Sequence, residues 1–347
     1  MMDDNAGLDF EKLKQAISAN IGKGKKYSSS RTLSLAIGNA TLVRDLLQRG
    51  KRPSIKTVSS IIDALGLNRS DFLSHHAEVH EKQFILSDLD SGILTVTLNM
   101  PEKRNPISDV SVIDMICDAF MAADQDMSVR CVILTGAGTV FSSGGDLKQM
   151  RPDSGGLRAG HPAETRRNYK YSIQRLPLMF QALEVPVVAA INGPAIGAGL
   201  DLTTMCDVRI AASSAKFAES FVRLGIIPGD GGAWLLPRII GFSKATELAL
   251  TGETIDAAEA LRIGLVSEVV DDSDLMAAAR KVAEKIAANP PHAVRMTKRL
   301  LREGQTADLK NILEMSAAMQ SLAHATADND EAIAAFLEKR APIFKGE

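Results

Sequence analysis

The chain has 347 residues, 45% of them apolar and 24% charged, with a net charge of −2. That is the make-up of a soluble globular protein with room for two domains. It excludes a membrane-spanning protein, since the longest apolar stretch, VPVVAAINGPAIGAGL, is broken by Asn192 and Pro194. The polar opening MMDDNAGLDF is no secretory signal. Three scattered cysteines, Cys117, Cys131 and Cys206, predict a reduced, cytoplasmic protein without a disulfide framework. The charge is uneven. Residues 10–74 carry 12 Lys/Arg against 4 Asp/Glu, a net of +8, and residues 81–347 carry 28 against 34, a net of −6. Two parts with different partners are expected, residues 1–80 and 81–347.

The first part predicts short helices in chain order. FEKLKQAI has helical spacing, SSSRTLSLAIG has serine caps and a glycine stop, and NATLVRDLLQRG repeats that grammar. PSIKTVSSIIDALG aligns Ile55, Val58, Ile61, Ile62 and Leu65 on one face, and RSDFLSHHA predicts a last short helix. The tight turn after Gly38 resembles the helix-turn-helix of Cro-like phage repressors, over about residues 10–74. Its GNATLV turn is one residue shorter than that family's. The resemblance implies a small all-α domain with Arg44, Arg49, Lys51 and Arg52 facing DNA; a helical appendage that packs on the second part or mediates assembly is the alternative. HHAEVHEKQF reads as a solvated linker, because no Cys or carboxylate array joins His75, His76 and His80 into a metal site.

The second part alternates strands and helices. GILTVTLN (Gly92–Asn99) predicts a strand, VIDMICDAFMAA an amphipathic helix, CVILTG, VPVVAAING and CDVRIAA buried strands, and Asp274 to Arg340 almost continuous helix broken at Pro290 and Pro291. RPDSGGLRAGHPAETR (Arg151–Arg166) predicts a long polar loop. The sum is an α/β core with a C-terminal helical layer.

Three segments carry chemistry: NMPEKRNPIS after the first strand, GTVFSSGGDLKQM after CVILTGA, and INGPAIGAGLDLTTMCD after VPVVAA. With SSAKFAESFVRLGIIPGDGGAWLLPRIIG, LTGETIDAAEALRIGLVSEVV and AFLEKRAPIFKG, they resemble the crotonase (enoyl-CoA hydratase/isomerase) superfamily over residues 83–347. The resemblance implies a crotonase-like ββα spiral, an acyl-CoA substrate whose CoA is no separate cofactor, and an enolate held by two backbone N–H groups. By position these are Ser143 and Ala198, with Gly144, Gly145, Gly197 and Gly199 small enough for a thioester to lie against the main chain. It further implies substrate contacts at Lys103, Asp146, Lys148, Phe336 and Lys339, and a homotrimer or dimer of trimers. Phe141, Phe221, Trp234 and Leu235 are candidates for the acyl pocket or for plain core.

Hydratases of that superfamily use two glutamates. Here the first position is Asp201, as in the dienoyl-CoA isomerase branch, and the second aligns to Phe221, which transfers no proton. Glu219 and Asp230 are the nearby acids, and Asp230 ranks first because its glycine turn lies at the site in relatives. A carboxyl in an apolar pocket has a raised pKa, which suits proton transfer. The expected function is enoyl-CoA hydration through Asp201 and Asp230. The alternatives are a double-bond isomerase using Asp201 alone, an acyl-CoA-responsive DNA-binding regulator, and an inactive scaffold.

Overall fold

In the computed structural model the described residues are 10–21, 25–30, 33–34, 43, 55–67, 84–151 and 156–347. The chain divides into two compact units, Met1–Lys82 and Gln83–Glu347. In the first, helices α1 (Phe10–Ala19) and α2 (Ile55–Leu65) contribute to a core of Leu13, Ile17, Leu33, Val43, Ile61, Ile62 and Leu65. The buried Ser34 hydroxyl accepts the Val43 N–H at 3.1 Å, and Tyr27 donates its hydroxyl to Ala64 O at 2.8 Å. Arg44, Arg49, Lys51, Arg52, His75, His76 and His80 lie outside the described residues.

The second unit opens with a hairpin, β1 (Ile85–Asp90) and β2 (Ile93–Leu98). Its two-residue turn, Ser91 and Gly92, has φ of 52° and 77°, the geometry whose twist matches antiparallel strands. β1 is absent from the sequence expectation, which began the sheet at Gly92. Residues 86–90 are exposed on both faces, so this edge strand has no buried alternation to read. Helix α3 (Val110–Gln125) is capped by Asp109, whose carboxylate accepts the Ser111 N–H at 2.9 Å. It crosses over to β3 (Cys131–Gly136), which lies parallel to β2.

The polar loop after Arg151 is shorter than expected: helix α4 (Pro162–Tyr171) begins at a proline in its first turn. Then come α5 (Arg175–Ala182), β4 (Val187–Ile191), the two-residue β5 (Ala195–Ile196), α6 (Ala198–Met205), β6 (Val208–Ala212) and β7 (Lys216–Ala218). They are followed by α7 (Gly232–Ile240), α8 (Phe242–Thr251), β8 (Thr254–Asp256), α9 (Ala257–Arg262) and β9 (Glu268–Val270). The main sheet has the order β1-β2-β3-β4-β6-β9, parallel after the hairpin; β5-β7-β8 form a small second sheet.

Parallel strands buried on both faces explain the unbroken apolar runs. In β3, Val132 and Leu134 face a core that includes Phe120 and Phe180, whose ring centroids lie 4.7 Å apart. Cys131 and Ile133 face the opposite way, onto Leu275, Ala279 and Ala283 of α10 (Leu275–Ala287). All three cysteines are buried and free.

Helix α11 (Pro291–Glu303) is fastened by charge. Arg295 meets Asp124 at 3.1 Å, while Lys298 and Arg302 meet the two oxygens of Asp207 at 2.8 and 2.6 Å. Helices α12 (Leu309–His324) and α13 (Ala327–Glu338) finish the chain. The tail folds back so that the Asp328 carboxylate accepts the N–H groups of Lys345 and Gly346 at 2.7 and 2.9 Å. Among the described residues no helix is long and apolar enough to cross a membrane.

Candidate active site

The KRNP segment sets the site's first wall. Arg104 and Asn105 both have left-handed backbones, φ 64° and 51°, a costly pair outside glycine. Asn105 is the fastener: its side chain accepts the Met100 N–H at 2.8 Å and donates to Ala137 O and Val140 O at 2.9 and 2.8 Å. The strained turn aims its carbonyls at the FSSGGD loop. Asn105 O accepts the Ser142 hydroxyl at 2.7 Å, and Arg104 O accepts the Ser143 N–H at 2.8 Å. Ser142 Oγ accepts the Gly144 N–H at 3.1 Å, and Ser108 Oγ accepts the Asp146 N–H at 2.9 Å.

This network corrects the expectation for Ser143. Its N–H is already spent on Arg104 O and is not available to a substrate oxygen. The Gly145 N–H, two residues on and half-buried, has no hydrogen-bond partner among the described residues.

The second wall is the turn from β5 into α6. Gly197, with φ 54° and ψ −121°, is a conformation only glycine adopts easily, and it starts the helix at Ala198. The Gly197 N–H is taken by Ala218 O at 2.8 Å, whereas the Ala198 N–H, first in the helix, has no hydrogen-bond partner among the described residues and lies at the positive end of the dipole. The two walls press together. A Cβ on Gly144 would sit 2.9 Å from Ala198 N, and one on Gly199 would sit 2.9 Å from the Ser142 carbonyl carbon. Gly144 and Gly199 are therefore small because one loop packs on the other, not to leave room for a ligand.

Below this turn lie three carboxyls from three elements. Asp201 is in the first turn of α6, Glu219 directly follows β7, and Asp230 precedes α7; they are 0%, 1% and 2% exposed. Among the described residues no N–H or other donor bonds any of the six oxygens within bonding geometry. Their neighbours are each other: Asp230 and Glu219 lie close enough to Asp201 to disfavour its ionisation. A carboxylate donates nothing, so these contacts become hydrogen bonds only where a proton is retained.

Burial, then the charges of Asp230 and Glu219, push Asp201 well above the usual carboxylate range. Burial and Asp230 push Glu219 up to about 8. Burial also raises Asp230, opposed by Asp201 and by the N–H groups of residues 229 and 230, which favour its anion.

Sequence reasoning ranked Glu219 behind Asp230, but the fold brings both to Asp201. It missed Tyr169 on α4, half-buried, whose ring packs on Gly229 in the Asp230 turn; burial and the Asp230 charge raise its pKa. Gln174 fixes the same turn by donating to Gly229 O at 2.8 Å. Phe221 is buried, its ring edge 3.5 Å from where a Gly197 Cβ would be, so it roofs the strained turn. Phe141 is fully buried core, and Trp234 is covered by the Arg238 guanidinium 3.9 Å from its ring centroid.

The remaining expected contacts lie further out. Lys103 is exposed in the short turn Pro101–Lys103, and the Asp146 carboxylate accepts the Lys148 N–H at 2.9 Å. Phe336, 84% exposed, and Lys339, with a left-handed backbone (φ 54°), stand on the surface at the end of α13. Among the described residues no His, Cys, Asp and Glu are grouped to hold a metal ion.

The pattern of the family described as enoyl-CoA hydratase/isomerase matches residues 88–347. The chain is similar to the 1,2-epoxyphenylacetyl-CoA isomerase of Escherichia coli K12, 37% identical over 265 residues, 76% of this chain and 99% of that protein. It is also similar to the crotonyl-CoA hydratase of Syntrophomonas wolfei, 36% identical over 75% of this chain and 97% of the relative. In structure it resembles an enoyl-CoA hydratase from Bacillus anthracis, with a TM-score of 0.71 and 37% identity over 76% of this chain and all of the other.

Proposed function

The chain belongs to the enoyl-CoA hydratase/isomerase family, and from that premise we propose how it handles an acyl-CoA thioester. It is an acyl-CoA hydratase/isomerase-type enzyme of the crotonase superfamily. The thioester oxygen sits between the N–H groups of Gly145 and Ala198, each worth about 3 kcal/mol to a developing oxyanion. Asp201 and Asp230 move the protons on the carbons beside it. The observation that carries this reading is the pairing of two unspent N–H groups on abutting loops with buried carboxyls one helical turn below.

Asp230 is the base; Asp201, held well above the usual carboxylate range, keeps its proton and gives the hydrogen bond that holds Asp230 in place. Gly144, Gly199 and Phe221 shape the turn under the thioester. Lys103, Asp146, Phe336 and Lys339 flank the CoA moiety, the last two from a neighbouring copy. A trimer or pair of trimers is supported by exposed apolar residues on the final helices, among them Leu309, Leu313, Leu322, Ile333 and Phe336. Light scattering of the pure protein tests it.

Double-bond isomerisation is the second reading, favoured by Phe221 where hydratases carry a glutamate. Mass spectrometry of crotonyl-CoA and trans-3-hexenoyl-CoA, each incubated in heavy water, separates the two. A water adduct on crotonyl-CoA establishes hydration; double-bond migration without an adduct establishes isomerisation; neither product refutes the assignment. DNA binding through Arg44, Arg49, Lys51 and Arg52 belongs to the same proposal and is supported by the +8 charge of residues 10–74. A salt-sensitive gel shift with upstream DNA, with and without acyl-CoA, tests it.

A further inference from the structure

Three anions packed against one another with no counter-charge cannot coexist in a dry interior. Among the described residues Asp201, Glu219 and Asp230 have no cation and no well-aligned donor around them, and Tyr169 is the other titratable group that faces the cluster, against Asp230. The fold places them together. Asp201, in the first turn of α6, abuts Gly232, two residues after Asp230, and Glu219 directly follows Ala218, which pairs with Ile196 at the head of the same turn. Three buried carboxyls so placed, with no counter-charge, keep at most one negative charge among them.

We propose that Glu219 is a further proton-handling residue of this site, the end of a Glu219–Asp201–Asp230 chain that holds two protons in the resting enzyme. This rests on the acyl-CoA reading above and deepens it. Such a chain can take a proton at one end and give one from the other without water. With a 3-enoyl-CoA, the Asp230 carboxylate removes a C2 proton, and the C–H electron pair becomes part of the new C2=C3 bond through the enolate. The former C3=C4 pair takes a proton from Glu219 at C4. Asp201 then passes its proton to Glu219 and receives that of Asp230, so the centre ends with the two protons it began with. The chemistry of Phe221 fits: an aromatic roof at the aligned second-acid position excludes water, and the acid enters from two residues earlier in the chain.

The test uses the full-length protein and the variants Glu219→Gln and Glu219→Asp. Glutamine keeps the shape and can donate to Asp201, but it cannot exchange this proton. With trans-3-hexenoyl-CoA, kcat of Glu219→Gln is expected to fall at least ~100-fold with KM within about threefold. The limb of the pH profile near 8 should disappear, and Glu219→Asp should recover at least ~10-fold of the loss. Infrared difference spectra of the ligand-free protein between about pH 6 and pH 10 should contain a neutral-carboxylic-acid C=O band that Glu219→Gln lacks. The proposal is overturned by a wild-type rate in Glu219→Gln, by a reduced rate with an unchanged pH profile, or by wild-type protein without that band. If neither thioester reacts, the acyl-CoA assignment fails by itself, and the infrared band alone still decides the sharing of protons.

Discussion

Gly232 packs directly against the Asp201 carboxyl. It opens α7, is buried, and would place an added Cβ 2.5 Å from Asp201 Oδ2 and 2.6 Å from its Cγ. Ordinary contact begins at 3.4 Å, so in Gly232→Ala the carboxyl must retreat by about 1 Å into a packed interior. Overpacking of this kind costs about 1–3 kcal/mol, offset by roughly 0.5–1 kcal/mol gained when alanine replaces glycine in a helix. A net destabilisation of about 0–2.5 kcal/mol follows, readable as a shift in the urea midpoint. The effect on rate is larger, because a displacement of about 1 Å at a reacting group costs on the order of 100-fold in kcat. Gly160→Ala is the control: nothing lies within 4 Å of its added Cβ, and its φ is not positive. Steady-state kinetics with the thioester that wild type converts, beside urea titrations, give both numbers. Wild-type kcat in Gly232→Ala would refute the idea that the position of Asp201 governs the reaction.

Ser143→Ala keeps the backbone N–H bonded to Arg104 O and removes only the hydroxyl, so kcat/KM should stay within about twofold; a loss of about 100-fold would show that the Ser143 hydroxyl takes part in the reaction. Asn105→Ala strips partners from Met100 N, Ala137 O and Val140 O and should lower stability by about 3 kcal/mol in urea unfolding. Burial raises Asp207 but Lys298 and Arg302 outweigh it, so its folded pKa is depressed. Its contribution is full above the ordinary carboxylate pKa and lost as pH falls through the folded value, and Lys298→Met should cost about 3–5 kcal/mol at pH 7 and progressively less as the pH falls below the ordinary carboxylate range. Glu219 has the opposite sign. Its raised pKa means the folded state holds a proton the unfolded state releases, so stability falls as pH rises from about 4 to about 8. Glu219→Gln should therefore raise the urea midpoint at about pH 8.5 and leave it nearly unchanged at about pH 4; the reverse ordering would contradict the burial of an uncompensated carboxyl.

What the sequence disclosed and what it hid follow from the range of the interactions. CVILTG and VPVVAAI announce strands buried on both faces because that environment accepts only apolar side chains, whatever the rest of the fold does. β1 was hidden because an exposed edge strand owes its existence to pairing with β2, not to its own pattern. Asp201 was legible from its small-residue turn. The choice between Ser143 and Gly145 was not, since it depends on where the Arg104 carbonyl points, and that is set by left-handed residues 39 positions upstream. Glu219 was ranked low by linear reasoning; its place beside Asp201 comes from β7 running parallel to β5, which delivers the residue after Ala218 beneath the turn at Gly197.

The three sequestered carboxyls also bear on how this enzyme would respond to laboratory evolution. Each works against folding at neutral pH, and each has a neutral amide of nearly the same shape one substitution away. A campaign that selects for heat tolerance alone would enrich Asn at 201 and 230 and Gln at 219, and would converge on well-behaved, inert proteins. Any such campaign needs turnover as a second criterion from its first round.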